Sequence, residues 1–292
     1  MVVGVTLLSL ASVAQGPAAE RQAGAAPQCT FPSSLTLVPD VTEASGLAVS
    51  QNLPGRLWTH NDSGQPTIFA LDTAGAVTER LRLMGSRVED WEALAVGPCP
   101  GGSCLYVADI GDNDARRTRI TIYRVAEPSG GKSSVSVQDI FHATYPDGAH
   151  DAETLLIAPD GTLLVVTKGD SGPVALYRFP KELRSGATHP LERVGNARDA
   201  GQPAATARIT DGAVSADGVW VVLRTQRHVV FHRMADLFSG NWREAGRLDV
   251  KRLGESQGEG IALGADGTLY LAGEGGGKSR PGTFARLTCS PR

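Results

Sequence analysis

Five short segments of this chain repeat one pattern, in which an oxygen-bearing side chain opens an apolar run. The opening residues, here called the axial set, are Ser45, Glu92, Glu153, Asp211 and Glu259. Carboxylate and hydroxyl oxygens are the ligands that calcium prefers, and the set contains no Cys or His that would favour zinc or copper. If the five residues meet, they predict one calcium ion, bound directly or through waters. The alternative is a hydrated acidic channel without metal, in which crowding raises the carboxyl pKa values.

The segments recur at intervals of 47, 61, 58 and 48 residues, so the chain is a repeat protein. Each opening run is followed by a second and a third apolar strand, and in most units by a weaker fourth. Asp-Gly pairs, which are strong hairpin turns, separate the first two strands at Asp160-Gly161, Asp217-Gly218 and Asp266-Gly267. Four antiparallel strands per unit predict an all-β fold, a β-propeller of five four-stranded blades.

The two ends of the chain are predicted to close the ring. The last unit is too short to supply its own fourth strand, and the N-terminal segment Ser34–Val38 is predicted to complete it, which removes free sheet edges. Cys29 and Cys289, at opposite ends of this domain, predict a disulfide across the closure, and Cys99 with Cys104 predicts a second around a tight loop. Six blades are the alternative, with the extra blade in the connections 129–150 or 189–208.

In a propeller the first strand of each blade lines the axis, and its start shares a face with the end of the second strand. Several polar side chains fall at those strand ends and predict a binding face for a small molecule, glycan or peptide. The predicted substrate-binding residues are Asp62, Asp109, Asp112, Lys168 and Arg224. The alternative for each is ordinary turn chemistry, because Asp, Asn and Gly are common where strands end.

The remaining features concern the compartment and the partners. Residues 1–14 predict a signal peptide and 15–28 a flexible leader, followed by a single propeller domain at 29–292. The apolar N-terminal run is shorter than the about 20 residues of a spanning helix, so no transmembrane segment is predicted. The formal net charge is -3, and the sequence shows no concentration of basic residues that would bind a nucleic acid polymer, so none is predicted as a partner. We expect a secreted or periplasmic monomer; a cytosolic leader is the alternative.

The strand starts resemble those of five-bladed calcium-dependent apyrases, the calcium-activated nucleotidases. Similar segments are Ser45-Gly46-Leu47, Glu92 with Leu94-Ala95-Val96, and Glu259-Gly260-Ile261. The resemblance implies one axial calcium ion and hydrolysis of nucleoside diphosphates on the same face. The Ser-Gly-Leu start is also similar to esterase-like phytase domains and other secreted propellers. Glu153 and Asp211 join the axial set by internal alignment of the repeats.

Two functions follow from these observations. The first is a calcium-dependent hydrolase of a phosphate or ester, in which the cation polarises the substrate or positions water while Lys168 and Arg224 offset anionic charge. The second is a non-catalytic secreted propeller whose polar face binds a partner and whose calcium ion is structural. A propeller fold hosts many activities and cannot by itself choose between them.

Overall fold

The protein is described by a computed structural model that covers residues 28–170, 172–198, 208–277 and 279–289. These residues form five β-sheets, which are the five blades of a propeller. The predicted signal peptide and, apart from Gln28, the predicted leader lie outside the described residues.

The strands are numbered in chain order. The N-terminal and first-blade strands are β1 (Cys29–Thr30), β2 (Thr36–Val38), β3 (Ala44–Val49), β4 (Arg56–Asn61), β5 (Thr67–Asp72) and β6 (Val77–Met84). Next come β7 (Trp91–Cys99), β8 (Gly102–Asp109), β9 (Ile120–Ala126), β10 (Ser134–Ser136), β11 (Asp139–Thr144), β12 (Ala152–Ile157), β13 (Leu163–Thr167), β14 (Ala175–Arg178), β15 (Thr188–Pro190) and β16 (Glu192–Asn196). The last are β17 (Ile209–Val214), β18 (Trp220–Thr225), β19 (His228–Arg233), β20 (Glu244–Asp249), β21 (Gln257–Leu263), β22 (Leu269–Glu274) and β23 (Gly282–Cys289), with a short helix α1 (Met234–Phe238) after β19 and a 3-10 turn at Lys251–Leu253.

The innermost strand of each blade is the one that carries a member of the axial set. These strands are β3, β7, β12, β17 and β21, and each contacts the innermost strands of both neighbouring blades, so they close a ring around the axis. Within each blade the first three strands pair antiparallel in chain order. The starts of the innermost strands therefore share one face of the disc with the ends of the second strands, as predicted.

Apolar side chains fill the gap between each pair of neighbouring blades. Five buried clusters are present, one per blade interface, and together they form the core of the ring. Because both faces of a blade are covered by its neighbours, strands such as β13 are buried along their whole length. This two-sided burial explains why the strands read as continuous apolar runs.

The long connections hold no sixth blade among the described residues; they extend existing blades instead. The connection after β9 forms two separate strands: β10 pairs parallel with β6 of the first blade, while β11 is the fourth strand of the second blade. In the same way, β15 leaves the third blade and pairs parallel with β11. Each added strand satisfies backbone groups at an outer edge that would otherwise stay unpaired.

The ring closes through the two ends of the chain. Both β1 and β2 pair antiparallel with β23, so N-terminal residues supply the outer strands of the fifth blade. Cys29 forms a disulfide with Cys289 and Cys99 forms one with Cys104, which are the two predicted pairs. Disulfides of this kind are typical of oxidising compartments. No helix in the described part of the chain has the length and apolarity to span a membrane.

Candidate functional site

Each innermost strand contains a bulge near its start, and the bulged residues form one column around the axis. The strand-pairing register shifts between Ala44 and Leu47 in the first blade, with equivalent shifts in the other four. The residues at these shifts, here called the bulge column, are Ser45, Glu92, Glu153, Thr210 and Glu259. Four of the five members of the axial set therefore occupy equivalent positions. The fifth position belongs to Thr210.

Asp211 lies one residue beyond the bulge column, so the internal alignment of the fourth blade was one residue out. The Thr210 hydroxyl donates to the backbone oxygen of Glu259 (3.1 Å), just as the Ser45 hydroxyl contacts the backbone oxygen of Glu92 (2.9 Å). The Asp211 carboxylate is buried and accepts the Ile261 amide (2.8 Å). Burial raises the Asp211 pKa well above its ordinary value. A hydroxyl side chain directly before Asp211 was the signal for the correct register.

Two acidic residues outside the axial set lie two positions before members of that set: Asp90 before Glu92, and Asp151 before Glu153. Asp90-Trp91-Glu92 and Asp151-Ala152-Glu153 repeat the same Asp-x-Glu spacing in neighbouring blades. We call their four acids, Asp90, Glu92, Asp151 and Glu153, the D-x-E carboxylates. Burial and then the charge of Asp151 raise the pKa of Asp90, and burial and then the charge of Glu153 raise that of Glu92, so the two pairs are close enough to interact. The duplicated spacing was visible in the sequence.

The backbone around the D-x-E carboxylates is fitted closely to them. Gly111 has no room for a side chain, because a Cβ there would lie 2.4 Å from Asp90 Oδ2. The Asp112 amide donates to Asp151 Oδ1 (2.7 Å), which fixes the start of β12 against the loop that follows β8. A second side of the site is therefore built by this loop.

Lys168 is the base that reaches the D-x-E carboxylates. It follows β13, where its amide donates to the Asp151 backbone oxygen and its own oxygen accepts the Ile209 amide, both at 2.9 Å. Its ammonium forms ion pairs with Glu153 and, at 3.4 Å, with Asp151. Both carboxylate side chains are only 3% exposed, while that of Lys168 is 18% exposed.

Burial and mutual repulsion favour the protonated forms of the axial acids. Burial raises the Glu153 pKa to about 7 although Lys168 opposes the shift. Burial, followed by the field of Glu153, raises the Glu259 pKa to about 8. Burial likewise raises that of Glu274, at the end of β22, to about 7, with smaller contributions from Asp62 and Glu43. Several carboxyl groups thus converge with too little positive charge nearby to keep all of them ionised.

The predicted substrate-binding residues play different structural parts. Asp109 is buried, where it accepts Arg117 Nη1 (2.7 Å) and the Glu89 amide (3.0 Å). Asp112 accepts the amides of Arg116 and Arg117 (2.9 and 2.7 Å). These two acids therefore hold the loops next to the D-x-E carboxylates.

The other three predicted residues differ in burial and in their partners. Asp62 follows β4, where its backbone oxygen accepts the Trp91 amide (3.1 Å). Arg224 is completely buried between the fourth and fifth blades, where it donates to the backbone oxygens of Gly260 (2.6 Å) and Ala272 (2.7 Å) and pairs with Glu255. Of the five residues, only Lys168 forms a direct ion pair with the axial acids in the described structure.

The oxygen ligands at this face suit calcium, but the described acidic side chains are not arranged around a metal ion. The acids of the bulge column supply only oxygen ligands, which hard cations prefer. Within the described ranges, no three His, Cys, Asp or Glu side chains converge closely enough to hold a metal ion as they stand. Lys168 already pairs with Glu153, an acid that such an ion would use, and with neighbouring Asp151.

Comparisons with known proteins support the fold. No family profile and no curated protein matches the chain. The structure resembles the PQQ-bound aldose sugar dehydrogenase of Streptomyces coelicolor, with a TM-score of 0.51 and 13% identity over 91% of this chain and 100% of that one. It also matches regucalcin, a calcium-binding protein of Agrobacterium tumefaciens, with a TM-score of 0.45 and 14% identity over 87% of this chain and 95% of that one. A protein of unknown function from Bacteroides caccae matches with a TM-score of 0.42 and 10% identity over 80% of this chain and 72% of that one. The resemblance to calcium-dependent apyrases stays a prediction.

Proposed function

We propose that this protein is a secreted β-propeller that binds one calcium ion at the acidic end of its axis. The observation that carries the proposal is the convergence of Glu92, Glu153 and Glu259 in the bulge column, where each has a raised pKa. A divalent cation bound at this end would relieve that repulsion, since opposite charge favours the ionised carboxylates. The Ser45 hydroxyl, 2.8 Å from Glu92 Oε2, would orient one of the ligands.

Secretion is supported by the two disulfides, which suit an oxidising compartment. The acidic face also bears on the choice between binding and hydrolysis. A phosphate substrate on this face would lie beside the D-x-E carboxylates and Glu259, and ionised carboxylates repel an anion. We therefore propose binding of a neutral or cationic small molecule, glycan or peptide, with calcium as a structural ion. Hydrolysis of a phosphate or ester is the alternative.

The test of the calcium site is thermal unfolding with millimolar calcium and with excess chelator. A ligand at 100 times its Kd stabilises by about 2.7 kcal/mol, so we expect wild type to melt about 5 to 10 °C higher with calcium. Glu92→Gln combined with Glu259→Gln should lose this shift. The matched control, Glu182→Gln with Glu192→Gln, removes two exposed acids and should keep it. No shift in wild type, or an equal shift in the axial double variant, would contradict the proposal.

A second assay separates binding from hydrolysis. Purified protein is incubated with nucleoside diphosphates, phytate and aryl esters, with and without calcium. We expect no turnover above that of the axial double variant. Calcium-dependent turnover of any of these substrates that the double variant lacks would favour the hydrolase.

A further inference from the structure

Lys168 differs from an ordinary surface lysine in how many acids share it. Burial raises the pKa of Asp90, Glu92, Glu153 and Glu274, and the positive charge of Lys168 opposes the rise at all four. These four acids belong to three blades, so one ammonium acts on acids of three blades, and Arg117 acts on Asp90 as well. No second lysine in the described part of the chain forms an ion pair with a D-x-E carboxylate.

The backbone of Lys168 is held by hydrogen bonds, while its side chain is partly exposed to solvent. Hydrogen bonds to Asp151 on one side and from Ile209 on the other hold the main chain between the third and fourth blades. The side chain is 18% exposed, whereas the carboxylates of Glu153 and Asp151 are 3% exposed. A lysine carries its charge on four flexible methylene groups. The ammonium can therefore rotate towards solvent without any movement of the blades.

We propose that Lys168 is a tethered cation that occupies the calcium site of the metal-free protein and sets its affinity. This inference rests on the calcium site proposed above. The ammonium of Lys168 and calcium compete for the oxygens of Glu153, so binding of the ion requires that Lys168 turn away from Glu153 and from neighbouring Asp151. The lysine stabilises the acidic end when calcium is scarce and weakens calcium binding by the same interaction.

The competition is tested by calcium titration calorimetry of wild type and Lys168→Met at one pH and ionic strength. Methionine is an unbranched side chain one atom shorter than lysine, so it keeps most of the length and removes the charge. Because two unit charges about 4 Å apart interact strongly even at a protein surface, we expect Lys168→Met to bind calcium about tenfold tighter or more. Lys168→Arg keeps the charge and should stay near wild type. Lys181→Met is the control, because it removes an exposed lysine beside the Asp160 hairpin turn, at the opposite end of the third blade.

A second readout follows stability without calcium. In excess chelator, Lys168→Met should melt below wild type, because the D-x-E carboxylates lose their shared cation, and calcium should restore the melting temperature. Lys181→Met should show neither effect. This reversal of rank between the two conditions is specific to competition.

The outcomes distinguish this inference from the proposed calcium site. If wild type binds calcium and Lys168→Met binds it no more tightly, the tethered cation is wrong and the calcium site stands. If only Lys168→Met binds calcium, Lys168 holds the site closed and wild type is not a calcium protein. If neither protein binds calcium, both proposals are overturned.

Discussion

Two buried glutamates at opposite faces of the propeller have different partners and therefore different roles. Glu127, after the end of β9, is 5% exposed and accepts hydrogen bonds from Ser50 Oγ (2.5 Å), Trp58 Nε1 (3.0 Å) and the Gln51 amide (3.1 Å). Glu153, in the bulge column, is 2% exposed and is neutralised chiefly by Lys168.

The difference lies in the donors rather than in the burial. The donors to Glu127 are a hydroxyl, an indole and backbone amides, which the fold holds in place. The partner of Glu153 is a flexible ammonium that also serves other acids. A carboxylate satisfied by fixed donors joins two blades, whereas one satisfied by a mobile cation can exchange that cation for another. The following predictions test this distinction, beginning with the largest effect.

Replacement of Glu127 should cost the most stability. Glu127→Ala leaves the Trp58 indole and the Ser50 hydroxyl without their acceptor, and hydrogen bonds to a charged group contribute about 1.5–3 kcal/mol each, so we expect a loss of about 3 kcal/mol or more. Urea unfolding measures the change. Glu192→Ala, at an exposed acid, should lose less than about 1 kcal/mol. Equal losses in the two variants would contradict a structural role for Glu127.

The acidic face should make stability depend on pH. The Glu153 pKa is raised to about 7 and the Glu259 pKa to about 8, from an ordinary value of 4.5. Each therefore binds its proton more tightly in the folded state, so its contribution is complete below about pH 4.5 and is lost as the pH rises through about 7 to 8. In excess chelator the melting temperature should fall across this window, and Glu259→Gln should flatten the upper part of the fall. A melting temperature that rises from about pH 5 to pH 8 would contradict this assignment.

Neutralisation of Glu153 should have the smallest effect on stability. Because burial raises the Glu153 pKa to about 7, its protonated form is favoured compared with an ordinary glutamate, and an amide of the same shape imitates that form. We expect Glu153→Gln to change the free energy of unfolding by less than about 1 kcal/mol at pH 7 in chelator. Calcium affinity should fall in the same variant. A loss as large as that of Glu127→Ala would mean that Glu153 is a structural residue like Glu127.

The propeller could be predicted because its pattern is local and repeated. Apolar runs, Asp-Gly turns and the interval between units identify strands, hairpins and blades without knowledge of long-range contacts. The parallel pairing of the outer strands β10 and β15 could not be predicted in this way. They pair parallel with a preceding blade, and their short sequences have no pattern that names a partner.

The site was predictable in its residue types and less so in its register. A bulge adds one residue to an innermost strand, so the internal alignment of the fourth blade selected Asp211 in place of Thr210. The burial of Arg224 and the convergence of Lys168 on two neighbouring acids depend on how blades pack, which a single repeat does not encode. Polar residues at strand ends thus predicted the face and not the role of each side chain.

The closure of the ring sets the order in which the protein can fold. Thr36 pairs with Phe284, so the fifth blade joins the earliest and the latest segments of the propeller. The other four blades draw their strands from much shorter stretches of chain and can form while the first segment is still unpaired. Contacts between distant residues form slowly, because a long loop must close first. We therefore expect the fifth blade to assemble last, and the Cys29–Cys289 disulfide to form only after the ring has closed.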